Sequence, residues 1–263
     1  MPGKVAPILL LGGGRMGGAL VRGWLDAEAF APSDLIVRDP TPSPEALAAG
    51  HLNPPDEMLA TARTVLISVK PQLWKVVAAE VEPLLSMDAV IVSIAAGVTL
   101  TALEEAFAPR KVARVMPTTA VAIGKGVASI FSTDSVARAA AHALFDPVAL
   151  TVDLTHEGLM DAATAVSGSA PAYLYAFIEA LEQAGAAAGL EVHDAQKLAR
   201  QTIISAAALM GESGEPPADL RRQVTSPGGT TEAALKVLMG EGGFPQLLKA
   251  AVDAAVKRAG ELG

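Results

Sequence analysis

The stretch that decides the fold lies close to the N-terminus and reads Ile8-Leu9-Leu10-Leu11-Gly12-Gly13-Gly14-Arg15-Met16-Gly17. An apolar run is followed at once by a G-x-G-x-x-G pattern, and a helical stretch begins near Met16. Glycines permit a tight turn between strand and helix and let the backbone approach a pyrophosphate, whose charge meets the positive end of the helix dipole. The pattern predicts a dinucleotide-binding loop. An ordinary glycine-rich turn is the alternative.

The N-terminal part of the chain repeats this alternation of strand and helix. Short β-branched apolar runs are separated by Ala-rich helical stretches, which is typical of a parallel sheet covered by helices. The predicted strands are Ile8–Leu11, Leu35–Val37, Val65–Val69, Val90–Ile94 and Val112–Met116, and a helix over Ser135–Leu144 is flanked by two further strands, Val127–Phe131 and Ala149–Asp153. We therefore predict an α/β fold in which residues 1–155 form a doubly wound sheet.

From Met160 onward the sequence favours helices only. Apolar residues recur at helical spacing, with glycines where C-terminal caps are expected. The predicted helices are Ala172–Leu190, Asp194–Met210, Thr231–Met239 and Pro245–Leu262, and the expected caps are Gly189, Gly211 and Gly240. Residues 156–263 are thus predicted to be an all-α domain. Faces this rich in Ala and Leu exceed what about 110 residues usually hide, so a homodimer is expected.

Composition limits the class of function. At 263 residues, with 51% hydrophobic and 18% charged residues, the chain can bury two cores and is not disordered. A net charge of −8 argues against a nucleic-acid groove or an anionic membrane surface, so the expected partner is a small molecule. The apolar run Ile8–Leu11 is too short for a signal-peptide core and no stretch reaches the length of a membrane span, so the expected location is the cytoplasm.

No metal site is expected. The chain has no cysteine, which excludes disulfides and thiolate ligands. The four histidines are scattered without an i, i+4 pair or a nearby set of acidic ligands, and they are His51, His142, His156 and His193.

The identity of the nucleotide depends on the end of the second strand, which reads Val37-Arg38-Asp39-Pro40. Asp39 would accept hydrogen bonds from a ribose 2′-hydroxyl, whereas Arg38 would pair with a 2′-phosphate. A solvated loop is the alternative for both residues. The sequence leaves NADPH and NADH open, and we expect both to be used.

A second glycine-rich segment stands near the C-terminus and reads Val224-Thr225-Ser226-Pro227-Gly228-Gly229-Thr230-Thr231-Glu232, ahead of a helical run. Two glycines let the backbone come close to a ligand, and the free N–H groups of the following helix point at whatever is bound. A carboxylate would fit such a loop. The alternative is a Thr-capped helix after a turn.

Several blocks together make the chain resemble the pyrroline-5-carboxylate reductase family, the enzymes of the last step of proline biosynthesis. Their order and spacing run from one end of the chain to the other. Besides the two glycine-rich segments they are Val69-Lys70-Pro71-Gln72, Val92-Ser93-Ile94-Ala95-Ala96-Gly97-Val98-Thr99, Arg114-Val115-Met116-Pro117 and Ser167-Gly168-Ser169-Ala170-Pro171-Ala172-Tyr173.

The resemblance implies a Rossmann domain, a C-terminal helical domain that interlocks in a dimer, sometimes assembled into decamers, and NADPH or NADH as cofactor. The implied substrate-binding residues are Ser226, Gly228, Gly229, Thr230, Thr231 and Glu157, with Thr231 and Glu157 at the reacting centre. The implied cofactor-binding residues are Gly12, Gly14, Arg15, Met16, Gly17, Arg38, Asp39, Ser68, Val69, Lys70, Pro71, Ile94, Ala95 and Ala96.

The chain also departs from the family pattern. Thr118-Thr119-Ala120 stands where the family has Asn-Thr-Pro, Arg221-Arg222 replaces Lys-Asp, and Gln223 replaces an Asn. Two other readings stay open at this point. A β-hydroxyacid dehydrogenase shares the two-domain plan but needs a catalytic lysine that Ser167–Tyr173 lacks, and a silent dinucleotide-binding regulator would explain the altered Thr118 block.

Overall fold

A single eight-stranded sheet forms the centre of the N-terminal part of the chain. The computed structural model describes residues 5–261. Its strands are β1 (Ile8–Leu11), β2 (Leu35–Arg38), β3 (His51–Leu52), β4 (Thr64–Ile67), β5 (Val90–Ser93), β6 (Val112–Pro117), β7 (Gly126–Phe131) and β8 (Ala149–Asp153). The spatial order is β3-β2-β1-β4-β5-β6-β7-β8, and every neighbouring pair is parallel except β6 and β7. The predicted α/β fold with a doubly wound sheet is confirmed.

Helices pack on both faces of this sheet because successive strand residues point to opposite sides. Ile8 and Leu10 of β1 belong to one buried cluster, and Leu9 and Leu11 belong to another. The helices that precede or follow these strands are α1 (Arg15–Asp26), α2 (Asp56–Leu59), α3 (Trp74–Val81), α4 (Leu100–Phe107), α5 (Ser135–Phe145) and α6 (Met160–Ala163). The sheet therefore carries two cores, one on each face.

The strands differ from the prediction at their ends. β4 ends at Ile67, two residues before the predicted end at Val69, and the Ser68 backbone that follows lies close to Gly12. β3 was not predicted, since it is only two residues long and its residues are half-buried or exposed. Such a strand has no apolar run to reveal it.

Compactness divides the described residues into two units. One comprises residues 5–168 with 255–261, and the other comprises residues 169–254. The division falls later in the chain than the expected boundary between residues 155 and 156. Helices account for the remainder of the chain and are α7 (Ala170–Ala187), α8 (Val192–Ser213), α9 (Pro217–Gln223), α10 (Thr230–Leu238) and α11 (Phe244–Gly260).

Of the three predicted glycine caps, Gly189 adopts the left-handed conformation, whereas Gly240 follows α10 without a positive φ and Gly211 does not end a helix. Gly189 follows α7 at φ +105°, the left-handed conformation that a cap requires. Gly211 was predicted as a cap but lies inside α8, which ends instead at Gly214 with φ +66°. The apolar spacing ends at Met210, whereas the helix continues through polar residues to Ser213. Leu262, the predicted end of the last helix, lies outside the described residues.

The unit of residues 169–254, here called the helical unit, buries few hydrophobic side chains. Ala195 and Ala199 are its only buried hydrophobic residues, at 3% and 5% exposed. Its exposed large apolar side chains include Leu174, Tyr175, Leu181, Leu198, Ile204, Leu209, Val237, Leu247 and Leu248. Across residues 5–261 the structure contains no helix that combines the length and the apolar character needed to span a membrane.

Candidate functional site

The predicted cofactor residues lie at one edge of the sheet. Strands β1, β2, β4 and β5 are parallel, so the segments that follow them leave the sheet at the same carboxyl edge. In open α/β sheets this edge is where ligands bind. The structure therefore brings together all of the segments predicted to hold the nucleotide, which are residues 12–17, 38–39, 68–71 and 94–96.

Two of the glycines in the first loop are required by the fold. Gly12 adopts φ +101°, and a Cβ there would lie 2.8 Å from the carbonyl carbon of Ser68. A Cβ on Gly17 would lie 2.1 Å from the carbonyl oxygen of Gly12. Any side chain at either position would collide with backbone, so packing alone explains why both residues are glycine.

Gly14 has a different explanation. It is the N-cap of α1 at φ −71°, which other residues can adopt, and a Cβ there would meet no atom within 4 Å. No side chain caps the helix, so the N–H groups of its first turn are open to a ligand. Open space over these N–H groups is what a pyrophosphate needs, and the residues present fit a dinucleotide. Arg15 and Met16 are the first two residues of this turn.

Asp39 is fixed at the end of β2 by four hydrogen bonds. Its Oδ2 accepts from the Gly13 N–H at 2.7 Å, and its Oδ1 accepts from the Thr41 N–H at 2.7 Å. The Asn53 side chain accepts from the Asp39 N–H at 2.9 Å and donates to the Asp39 carbonyl at 2.8 Å. The carboxylate thus ties the glycine loop to β2. Asn53 has φ 45°, and its role was not evident from the sequence.

Arg38 is held by two carboxylates. Its Nη1 donates to Asp56 Oδ1 at 2.7 Å and its Nη2 donates to Glu80 Oε1 at 2.8 Å. The sequence offered Arg38 as a partner for a 2′-phosphate. In the structure, both terminal nitrogens of its guanidinium already donate to acids from α2 and α3.

Two clefts lie along the carboxyl edge of the sheet. The larger, about 510 Å³, is lined by Gly12, Arg38, Asp39, Val69 and Glu80 among others. The smaller, about 200 Å³, is lined by residues of the segments after β4 and β5, including Pro71, Gly97 and Thr99. Beside these segments the Ser68 hydroxyl is buried and has no hydrogen-bond partner among the described residues. Lys70 is exposed.

The carboxylate of Glu157 contacts the N-terminus of α4, and both lie in the same unit as the carboxyl edge of the sheet. Its Oε1 accepts from the Leu100 N–H at 2.6 Å and from Nη1 of Arg114. The Arg114 side chain is only 8% exposed and the Glu157 side chain is 29% exposed, so the arginine is buried and the carboxylate is partly open to water. Arg114 was not predicted, although a charged residue inside an apolar strand was the available signal. The carboxylate anchors the segment that runs from Ile94 to the N-terminus of α4.

The altered block after β6 has its own local structure. Thr118 is buried, and its hydroxyl accepts from the Val127 N–H at 3.0 Å. This bond ties the loop after β6 to β7. The side chain that replaces the family's Asn is therefore used within the fold.

The second glycine-rich segment lies in the helical unit and leads into α10. Gly228 adopts φ +70°, and its N–H donates to Glu232 Oε2 at 2.7 Å. Gly229 is the N-cap of α10 and no side chain caps the helix. The predicted alternative of a Thr-capped helix is therefore wrong. The N–H groups of Thr230 and Thr231 have no partner in the described part of the chain, and the Thr231 side chain is half-buried beside them.

A histidine cluster lies between α5 and β8 of the sheet. His142 of α5 contacts Asp146 Oδ1 at 3.0 Å and Asp153 Oδ2 of β8 at 3.3 Å. Burial by itself lowers the pKa of His142, but the hydrogen bonds and charges of the two aspartates outweigh burial and raise the pKa above its ordinary value. Between residues 5 and 261 no three His, Asp or Glu side chains are placed to hold a metal ion.

Comparison with known proteins covers the whole chain. A family model described as pyrroline-5-carboxylate reductase dimerisation matches residues 157–262, and one described as NADP oxidoreductase, coenzyme F420-dependent, matches residues 7–97. The chain is 37% identical to the pyrroline-5-carboxylate reductase of Pseudomonas aeruginosa over 97% of its own length and 96% of that protein. It is also 37% identical to the enzyme of Pisum sativum, over 98% and 99%.

Solved structures agree with these matches. The pyrroline-5-carboxylate reductase of Coxiella burnetii is 31% identical with a TM-score of 0.88, over 98% of this chain and 99% of that one. The Plasmodium falciparum enzyme, solved with NADP bound, is 29% identical with a TM-score of 0.85, over 99% of both chains. By sequence identity along its full length, the chain belongs to the pyrroline-5-carboxylate reductase family.

Proposed function

We propose that the chain catalyses the NAD(P)H-dependent reduction of 1-pyrroline-5-carboxylate to L-proline, the last step of proline biosynthesis. The observation that carries the proposal is the free first turn of α10, with unpartnered N–H groups beside the Thr231 hydroxyl. It occurs in a chain whose sheet edge fits a dinucleotide and whose full-length relatives are named for this reaction. A carboxylate and an imine nitrogen on one small ring match these two groups.

The substrate carboxylate is held by backbone. Gly228 and Gly229 leave the approach to α10 free of side chains, and the N–H groups of Thr230 and Thr231 lie at the positive end of the helix dipole. Glu232 accepts from the Gly228 N–H and thereby fixes the turn that presents them. The Ser226 carbonyl accepts from the Gly229 N–H and closes the same turn. Binding by fixed backbone groups orients the ring with little loss of side-chain entropy.

Thr231 acts on the ring nitrogen. When bound, the reduced nicotinamide would supply a hydride to the carbon of the protonated imine, and the C=N electron pair would pass to the nitrogen, which becomes an amine. The Thr231 hydroxyl has no capping role, so it is available to hydrogen-bond this nitrogen as its charge and geometry change. No covalent nucleophile is needed, and the residues contribute chiefly by positioning.

Glu157 remains part of the proposal with a changed role. Arg114 offsets the negative charge that direct stabilisation of an iminium ion would use. The bond from the Leu100 N–H instead makes Glu157 a positioning residue for the segment containing Ile94, Ala95 and Ala96. This segment and residues 68–71 are proposed to hold the nicotinamide half of the cofactor.

The proposed assembly is a homodimer formed through the helical unit, with a decamer of five such dimers as the larger form. Two observations support it. The helical unit leaves many large apolar side chains exposed, and the family model that matches residues 157–262 describes dimerisation. The proposed location is the cytoplasm.

The test mixes purified protein with NADH or NADPH and 1-pyrroline-5-carboxylate, and it measures the loss of nicotinamide absorbance. We expect Thr231→Ala to lower kcat by roughly ten- to a thousand-fold, as for loss of one well-placed polar group, without changing nucleotide affinity. Thr231→Ser keeps the hydroxyl and should retain much more activity. Thr230→Ala is the matched control, since only its backbone is used. Normal turnover in Thr231→Ala would refute the role, and nucleotide binding without imine reduction would favour a silent regulator.

A further inference from the structure

The larger cleft at the sheet edge has an unusual distribution of charge. Among the described residues, Arg38 is the only cation that lines it, and Asp39 and Glu80 line it with Arg38. Asp56 completes the group by binding the guanidinium from α2. One positive and three negative side chains leave this group with two net negative charges. A phosphate carries about 1.5 to 2 negative charges near pH 7, so it would be repelled here unless Arg38 were free to meet it.

Arg38 is not free in this structure. Glu80 and Asp56 each accept from a different terminal nitrogen of the guanidinium, at 2.8 and 2.7 Å. A bidentate contact with phosphate oxygens uses two of the five guanidinium N–H groups, and the two acids already take one from each terminal nitrogen. The Arg38 side chain is 27% exposed, whereas the Asp56 and Glu80 side chains are 56% and 57% exposed, so both pairs lie at the protein surface. A 2′-phosphate that approaches Arg38 would therefore meet two carboxylates already paired with it, and would have to displace them or bind beside them.

The Asp39 carboxylate, in contrast, can accept further hydrogen bonds. Each of its carboxylate oxygens takes one backbone N–H, from Gly13 and from Thr41, and a carboxylate offers about four acceptor positions. Its backbone is held by Asn53 on both sides. The remaining lone pairs can receive ribose hydroxyls without any rearrangement of the loop.

We infer that this chain prefers NADH, with Asp39 as acceptor for the ribose hydroxyls and with Asp56 and Glu80 as specificity-determining residues that withhold Arg38 from a 2′-phosphate. The inference rests on the proposed function, because it concerns the nucleotide of the same reaction. It adds a selection device that lies outside the glycine loop, on α2 and α3.

The test measures binding as well as activity. Nicotinamide fluorescence titrations without substrate should give a Kd for NADH at least about tenfold below that for NADPH, the ratio expected from one charge-assisted interaction. The double variant Asp56→Asn with Glu80→Gln frees Arg38 and should tighten NADPH about tenfold, with little change for NADH. Adding Arg38→Ala to this double variant should abolish the gain. Glu104→Gln with Glu105→Gln removes two exposed carboxylates of α4 and is the matched control.

Three results would overturn the inference. They are tighter binding of NADPH than of NADH by the unaltered protein, no gain for NADPH in the double variant, and an equal gain in the α4 control, which would reflect net charge alone. Failure to bind either nucleotide would overturn both this inference and the proposed function. Selective NADH binding without imine reduction would contradict the proposed function and leave the selection device supported.

Discussion

A substitution at Gly14 should weaken cofactor binding while leaving the stability of the fold nearly unchanged. Gly14→Ala adds a Cβ that meets no atom within 4 Å, at a φ of −71° that alanine adopts. Reduced freedom of the unfolded chain stabilises by about 0.4–1 kcal/mol, and alanine is a poorer N-cap by a similar amount, so the free energy of unfolding should change by less than about 1 kcal/mol. The same Cβ occupies the space above the first turn of α1. Losing one charge-assisted hydrogen bond to the pyrophosphate, about 1.5–3 kcal/mol, should raise the Kd for NADH roughly ten- to a hundredfold.

Gly17→Ala is the control, with the opposite outcome expected. Its Cβ would lie 2.1 Å from the Gly12 carbonyl oxygen, so the loop must shift. Overpacking of this kind costs about 1–3 kcal/mol or more, which lowers the Tm by about 2–4 °C for each kcal/mol in a chain of this size. Thermal unfolding by circular dichroism and fluorescence titration of NADH measure the two effects. If Gly14→Ala binds NADH as tightly as the unaltered protein, the backbone at Gly14 does not approach the pyrophosphate and the argument for the loop fails.

Two further predictions concern ion pairs of the sheet unit. Because the folded state raises the pKa of His142, its contribution to stability is complete below the ordinary value of 6.5 and is lost as pH rises through the raised pKa. Urea unfolding between pH 5.5 and about 8.5 should therefore show a fall that His142→Gln removes, and parallel curves would contradict it. Glu157→Gln leaves the buried Arg114 without a charged partner, so we expect a loss of about 1–3 kcal/mol in the free energy of unfolding and a raised KM for the nucleotide with a smaller change in kcat. An unchanged KM would remove Glu157 from cofactor positioning.

The sequence predicted what depends on local pattern. Buried strands such as β1 and β5 are recognisable as apolar runs, and the spacing of the glycines predicts the loop after β1. The partners of the charged residues could not be predicted in this way. Arg114 and Glu157 are separated by 43 positions in the chain, and Arg38 and Glu80 by 42. Such pairs form only once the strand order sets which loops meet. The sequence therefore pointed to Arg38 and Glu157 but not to the residues that pair with them.

The small buried area of residues 169–254 affects how stability should be measured. A set of helices with Ala195 and Ala199 as its only buried hydrophobic residues gains little free energy from its own packing. Whatever covers the exposed faces binds the folded state and not the unfolded one, so it stabilises by mass action. If the cover is a second copy, the midpoint of melting rises with protein concentration. A single Tm then describes the solution in which it was measured and not the chain alone.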